Sequence, residues 1–207
     1  MSNRISSSGW AAIAGGALLV IAGPLLDIAR FGEANADLGL VRIAQLLFVA
    51  SAPCLFVAVR GLAWLLPSDA RRATALGKAL AYTGIAATAI GSLLTVLHPA
   101  EVQLLNPIGS ILQAAGMLVL GKATMRSNIF RGWKRLLPLL NGGWFIAHLP
   151  IQFAFFASPS GIPSHTFMFL VWGPLWALLG AALLGVGAGS ASRGDAEPAH
   201  YAGERAS

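Results

Sequence analysis

ALAYTGIAATAIGSLLTVLHPA, residues 79–100, stands between Lys78 and Glu101 without one formal charge. As a helix rising ~1.5 Å per residue, a run of this length reaches about 33 Å, enough to cross the ~30 Å hydrocarbon core of a bilayer. Comparable uncharged runs occupy residues 5–26, 43–59 and 102–121, and the stretch 136–192 is long enough for two crossings and a loop. Backbone N–H and C=O groups in lipid must pair within their own segment, so each run is expected to be helical. The reading is all-α: a polytopic bundle of six transmembrane helices. They are placed at Trp10–Ile28, Leu38–Val59, Thr74–Leu97, Val102–Gly121, Leu136–Phe156 and Thr166–Val186. The second helix can extend through Gly61–Leu66 and stop at Pro67. Turn residues fall between the runs: Ser68-Asp69, His98-Pro99 and the Pro/Ser/Gly-rich 158–164.

Composition agrees. Of 207 residues, 56% are hydrophobic and 11% charged, too few polar side chains to coat a water-exposed globule. A soluble enzyme and a nucleic-acid-binding domain both fit poorly, so no nucleic acid is expected as partner. The single cysteine, Cys54, excludes an internal disulfide framework. Residues 1–187 read as the membrane domain and 188–207 as a disordered cytoplasmic tail of Gly, Ala, Ser and charge. Ala34-Asn35-Ala36 has the small-x-small look of a signal-peptidase site. The preceding apolar run is long, and Arg30 and Glu33 intervene, so helix 1 is expected to be retained.

Six crossings place both termini on one side. That side, with the 2–3 and 4–5 connections, holds 12 of the 14 basic residues; Arg30 and Arg42 alone fall on the other. Positive charge stays cytoplasmic, so both termini are predicted inside, in the cytoplasmic (inner) membrane. Trp10, Trp64 and Trp133 fall near that interface. The basic residues of the 4–5 connection are expected to meet anionic lipid headgroups, which with the bilayer itself are the predicted partners. A homo-oligomer or a larger membrane complex stays open.

Polar residues inside apolar spans are the informative positions, because each costs energy unless paired or wetted. At ~100° per residue, Gln103, Asn106, Ser110 and Gln113 share one face of helix 4, and Asn141, His148 and Gln152 one face of helix 5. Thr88, Ser92 and Thr95 share a face of helix 3 with Gly84. These stripes are expected to line a cavity open to the extracytoplasmic side. Gln103, Asn106, Gln113, Asn141, His148 and Gln152 are the candidate ligand-binding residues. Hydrogen bonding between packed helices is the competing account. So is close helix approach along Gly84/Thr88/Ser92 and Ala181/Gly185/Gly189. Asp27 and Arg42 are expected to pair across the first hairpin. The aromatic residues crowding helices 5 and 6, among them Phe167, Phe169, Trp172 and Trp176, are assigned to packing or lipid contact, with an apolar groove as the alternative.

His98, Glu101, His148 and His165 map to the outer half and form the candidate set for a divalent metal; imidazole suits zinc, iron or copper. Their spacing is not that of a helical metal motif, and no cofactor is favoured. No free intramembrane lysine, nucleotide-binding loop, paired carboxylates, serine–histidine elbow or arginine ladder is present. The leading reading is a non-enzymatic protein that binds or transports a small polar or amphipathic molecule. The alternatives are a membrane-embedded, metal-dependent enzyme acting on a lipid-like substrate and an accessory subunit of a membrane complex.

The segment Gly116-Met-Leu-Val-Leu-Gly-Lys-Ala-Thr-Met-Arg-Ser-Asn-Ile-Phe-Arg-Gly-Trp-Lys-Arg-Leu-Leu-Pro resembles a pattern in small six-helix bacterial inner-membrane proteins. There a helix ends, arginine and a short apolar loop follow, and Arg-x-Trp opens the next helix. The resemblance covers one loop and two half-helices. It implies a bacterial inner-membrane protein and no activity.

Overall fold

The computed structural model describes residues 2–30, 37–98, 104–127, 129–155 and 164–194. Six α-helices account for nearly all of them: α1 (Ser2–Arg30), α2 (Leu38–Leu65), α3 (Arg71–Leu97), α4 (Leu105–Arg126), α5 (Leu137–Phe155) and α6 (Ser164–Gly194). Short 3-10 turns at Ser68–Ala70 and Gly132–Leu136 lead into α3 and α5. No strand occurs among the described residues. α1, α2, α3, α4 and α6 are each long and apolar enough to cross a membrane. Their outward faces carry large apolar side chains: Ile21, Ile90 and Ile111 are 53% exposed and Leu170 is 50% exposed. A bundle in water would place polar residues there, whereas lipid accepts these. The chain is a multi-pass helical membrane protein.

Local chemistry sets the helix ends. Asp37 caps α2, its Oδ1 accepting from Gly39 N at 2.9 Å and Leu40 N at 3.2 Å. Its own backbone N–H donates to Ala29 O at 3.0 Å, which draws the end of α1 to the start of α2. Pro67 ends α2 beyond Leu66, since the residue before proline is pushed to extended backbone. Pro107 lies in the first turn of α4, where a missing N–H costs nothing, so it opens that helix rather than kinking it. Pro24, Pro53, Pro150 and Pro174 lie inside helices.

Several helices outrun the apolar windows. α1 begins at Ser2 rather than near Trp10, and within this added stretch Ser7 and Ser8 satisfy their hydroxyls on the carbonyls of Asn3 and Arg4. α4 continues to Arg126, with Thr124 Oγ1 donating to Leu120 O at 2.8 Å. α6 runs to Gly194, so residues 188–194 of the expected tail are helical; 195–207 lie outside the described residues.

Consecutive helices pack side by side, and α1 closes the ring against α6. Among the described residues, the pairs α1–α6, α1–α2 and α3–α4 meet most extensively. Two seams are built on glycines seven residues apart. On α1, a Cβ added at Gly9, Gly16 or Gly23 would strike Gly180 O, Gly173 O or the Phe169 side chain of α6. On α3, a Cβ at Gly77, Gly84 or Gly91 would strike Leu120, the Gly109–Gln113 backbone or Asn106 of α4. The pairings run in reverse order along the chain, so both pairs are antiparallel. A seven-residue repeat keeps the contacting stripe on one face of two slightly crossed helices. Gly84 is in the seam as expected. The Ala181/Gly185/Gly189 stripe is not the α6 seam: Ala181 and Gly185 are exposed, and nothing lies within 4 Å of a Cβ on Gly185. Spacing by four and spacing by seven mark different faces, and here the heptad glycines are those a neighbour covers.

Alternating helix direction gathers the start of α1, the α2–α3 and α4–α5 connections and the end of α6 at one end of the ring. Trp10, Trp64 and Trp133 lie there, 64%, 37% and 56% exposed.

Gly16→Leu and Gly84→Leu should each lower stability by about 1–3 kcal/mol or more, the usual range for overpacking. Gly185→Leu should leave it unchanged. Thermal unfolding of the purified protein in detergent reads the difference.

Candidate functional site

The interior of the ring is mixed in character. Around Leu55, Ile85, Met117, Leu120 and Leu179 it is apolar, yet Gln45, Gln113, Asn141 and His148 are also buried, with Asn141 wholly inaccessible. Gln113 and Asn141 occupy comparable depths on adjacent helices. A Cβ on Gly142 of α5 would strike Ala114 O and the Leu118 backbone of α4. Across from Asn141 stands Trp172 of α6, whose Nε1–H donates to Asn141 Oδ1 at 2.9 Å. An indole nitrogen only donates, so this contact fixes which end of the Asn141 amide is oxygen. The remaining end, Nδ2, is buried without a hydrogen-bond partner in the protein. One helical turn from Trp172, the Trp176 indole N–H is also buried and unpartnered. Gln113 Nε2 on α4 and Gln45 Oε1 on α2 share that condition.

Toward the other end of the ring the interior becomes aromatic. Phe48 of α2 packs on Phe169 of α6 with ring centroids 4.8 Å apart; Phe169 contacts Trp172, Trp172 contacts Phe145, and Phe145 meets the His148 ring edge-on at 4.9 Å. His148 Nδ1 lies 2.6 Å from Phe145 O. A carbonyl accepts only, so Nδ1–H is the donor of this contact. Trp144 joins α5 to α6 by donating from Nε1 to Met168 O at 3.1 Å. The predicted aromatics Phe169, Trp172 and Trp176 are interior rather than lipid-facing. Phe48, Trp144 and Phe145 complete the cluster; nothing in their spacing separates them from lipid-facing aromatics.

Asn106 lies seven residues before Gln113 on the same side of α4. Its side chain lies against Gly91 in the α3–α4 seam, half-buried, with Oδ1 unpartnered. On α3, Thr88 Oγ1 is also buried without a partner, while Thr95 returns its hydroxyl to Gly91 O at 2.9 Å. Gln152 lies on α5, with its side chain outside the described residues; Gln103 and Glu101 lie outside them altogether.

Asp27 does not serve Arg42, which is exposed. The Asp27 carboxylate instead caps α6 across the α1–α6 seam. Oδ2 accepts from Thr166 N at 2.6 Å, and Oδ1 accepts from His165 N at 3.3 Å and from His165 Nδ1 at 2.8 Å. The first amides of a helix lack internal partners and carry the positive end of its dipole, so a buried carboxylate is well matched there. Asp27 lies three residues from the helix end, and Gly23, one turn earlier, brings the backbones close enough for its short side chain to reach. Among the metal candidates, His165 is thus committed to Asp27, His148 is buried on α5, and His98 is exposed at the end of α3. Among the described residues no three histidine, cysteine or carboxylate side chains gather into a group able to hold a metal ion.

Comparison with known protein families, characterised proteins and solved structures finds no match to this chain.

Asp27→Ala should cost about 0.5–2 kcal/mol, the range for loss of a helix cap. Asp27→Asn, which retains one accepting oxygen, should cost less. Unfolding midpoints of the two variants in detergent test the ordering.

Proposed function

We propose that this protein binds, and moves across or within the membrane, a small polar or amphipathic molecule received in the ring interior from the extracytoplasmic side. The observation that carries the reading is the set of interior hydrogen-bonding atoms with no protein partner: Gln45 Oε1, Gln113 Nε2, Asn141 Nδ2 and Trp176 Nε1. An orphaned buried polar group costs roughly 1–3 kcal/mol. Helix packing alone would favour apolar residues at such positions, whereas a ligand with matching polar atoms offsets the cost.

The orientation belongs to the same proposal. The basic end of the ring faces the cytoplasm of a bacterial cell, as the charge distribution and the Gly116–Pro138 resemblance imply. Arg60 and Arg4 support it. Both guanidinium groups lie on the exposed Trp64 ring, 4.5 and 5.8 Å from its centroid, in the arrangement of an interfacial anchor next to anionic headgroups.

In a Cys54→Ser background, a cysteine replacing Gln113 should react with an impermeant thiol reagent added outside intact cells. A cysteine replacing Trp133 should react only after permeabilisation. Protection of position 113 from both sides would overturn the cavity, and outside labelling of position 133 would overturn the orientation.

A further inference from the structure

The polarity of the interior contacts says more about the ligand than their number does. Two of the unpartnered atoms have a fixed hydrogen-bonding sense. Trp176 Nε1 can only donate. Asn141 Nδ2 can only donate as well, because Trp172 has already claimed the oxygen end of that amide. Gln113 and Gln45 add amides that can each present either end by rotation, so the Gln45 oxygen does not set the polarity of the site. Trp172, which holds the Asn141 oxygen, packs on the rings of Phe145 and Phe169. No lysine or arginine is buried among the described residues, so an anionic head would enter without a countercharge. A cationic or hydroxyl-rich head would bring donors to a place already rich in them.

We infer that the ligand is a neutral amphiphile with a planar, carbonyl-bearing head that accepts hydrogen bonds and offers none, its oxygens meeting the N–H groups of Asn141 and Trp176. The inference rests on the proposed interior binding site and specifies the chemistry of its occupant.

The test measures equilibrium affinity of the full-length protein in detergent by calorimetry, with three probes sharing one tail. Decyl-benzoquinone has two carbonyl acceptors and no donor, decylbenzene has neither, and decylammonium has donors only. The quinone is expected to saturate at one site per chain, with decylbenzene roughly tenfold weaker or worse. Trp176→Phe, which removes the N–H and keeps an aromatic ring, should weaken the quinone about fivefold, as loss of one neutral hydrogen bond does. Asn141→Leu should do the same; should that variant unfold, Trp176→Phe decides alone.

Decylammonium binding more tightly than the quinone would overturn the inferred polarity while leaving an interior site in place. So would quinone affinity unchanged in Trp176→Phe. If no probe binds and a cysteine at position 113 is protected from both sides, the inference falls together with the site it rests on.

Discussion

Contact between helix backbones, made possible by glycine, is what the rest of this bundle depends on. In lipid, two apolar helices gain little by hiding their side chains from tails that are equally apolar, so association relies on close van der Waals packing and polar contacts. Gly9, Gly16 and Gly23 facing Gly173 and Gly180, and Gly77, Gly84 and Gly91 facing Gly109 and Gly116, bring backbone to backbone at two seams of the ring. Dispersion energy falls off steeply with separation, so losing even part of an ångström there forfeits much of the attraction. With α1 held against α6, the chain's first and last helices become neighbours, and the ring closes around an interior.

That closure gives the polar residues their meaning. Asp27 reaches the first turn of α6 because the α1–α6 seam is tight at Gly23, and its carboxylate takes up amides that would otherwise be orphaned next to lipid. Among the described residues the α5–α6 pair has no comparable glycine seam. It is joined by tryptophan N–H bonds to Met168 O and Asn141 Oδ1. Directional bonds of this kind are few and local, and side chains rather than backbones fill the space between these helices. Among the described residues, the bonds that join α5 to α6 thus run beside buried polar groups, Asn141 and Trp176 among them.

Much of the architecture was legible from uncharged run length, because hydrocarbon thickness and backbone hydrogen bonding leave an apolar segment of that size few alternatives. Gln113, Asn141 and His148 were legible as candidates from helical periodicity, and all three are buried. The same periodicity grouped Asn106 with Gln113, and both lie along the α3–α4 seam, against Gly91 and Gly84; Asn106 is half-buried there and Gln113 is buried. A face shared on one helix does not tell how deeply each turn is covered. The pairing of Asp27 with Arg42 failed for a related reason: sequence proximity favoured a hairpin partner, while the helix that meets Asp27 begins more than 130 residues later.

Sequence by itself determined that this is an all-helical membrane protein, roughly where its helices lie, with the start of α1 and the end of α6 missed by eight residues each, and which end of the bundle is basic. These follow from properties each segment has alone: length, hydropathy, charge and proline. Tertiary structure alone decided which glycines become seams, that α1 meets α6, and that Trp172 orients the Asn141 amide and leaves its N–H unclaimed. Those are facts about pairs of helices distant in the chain, and hydrogen-bond polarity at a buried site exists only once both partners are in place.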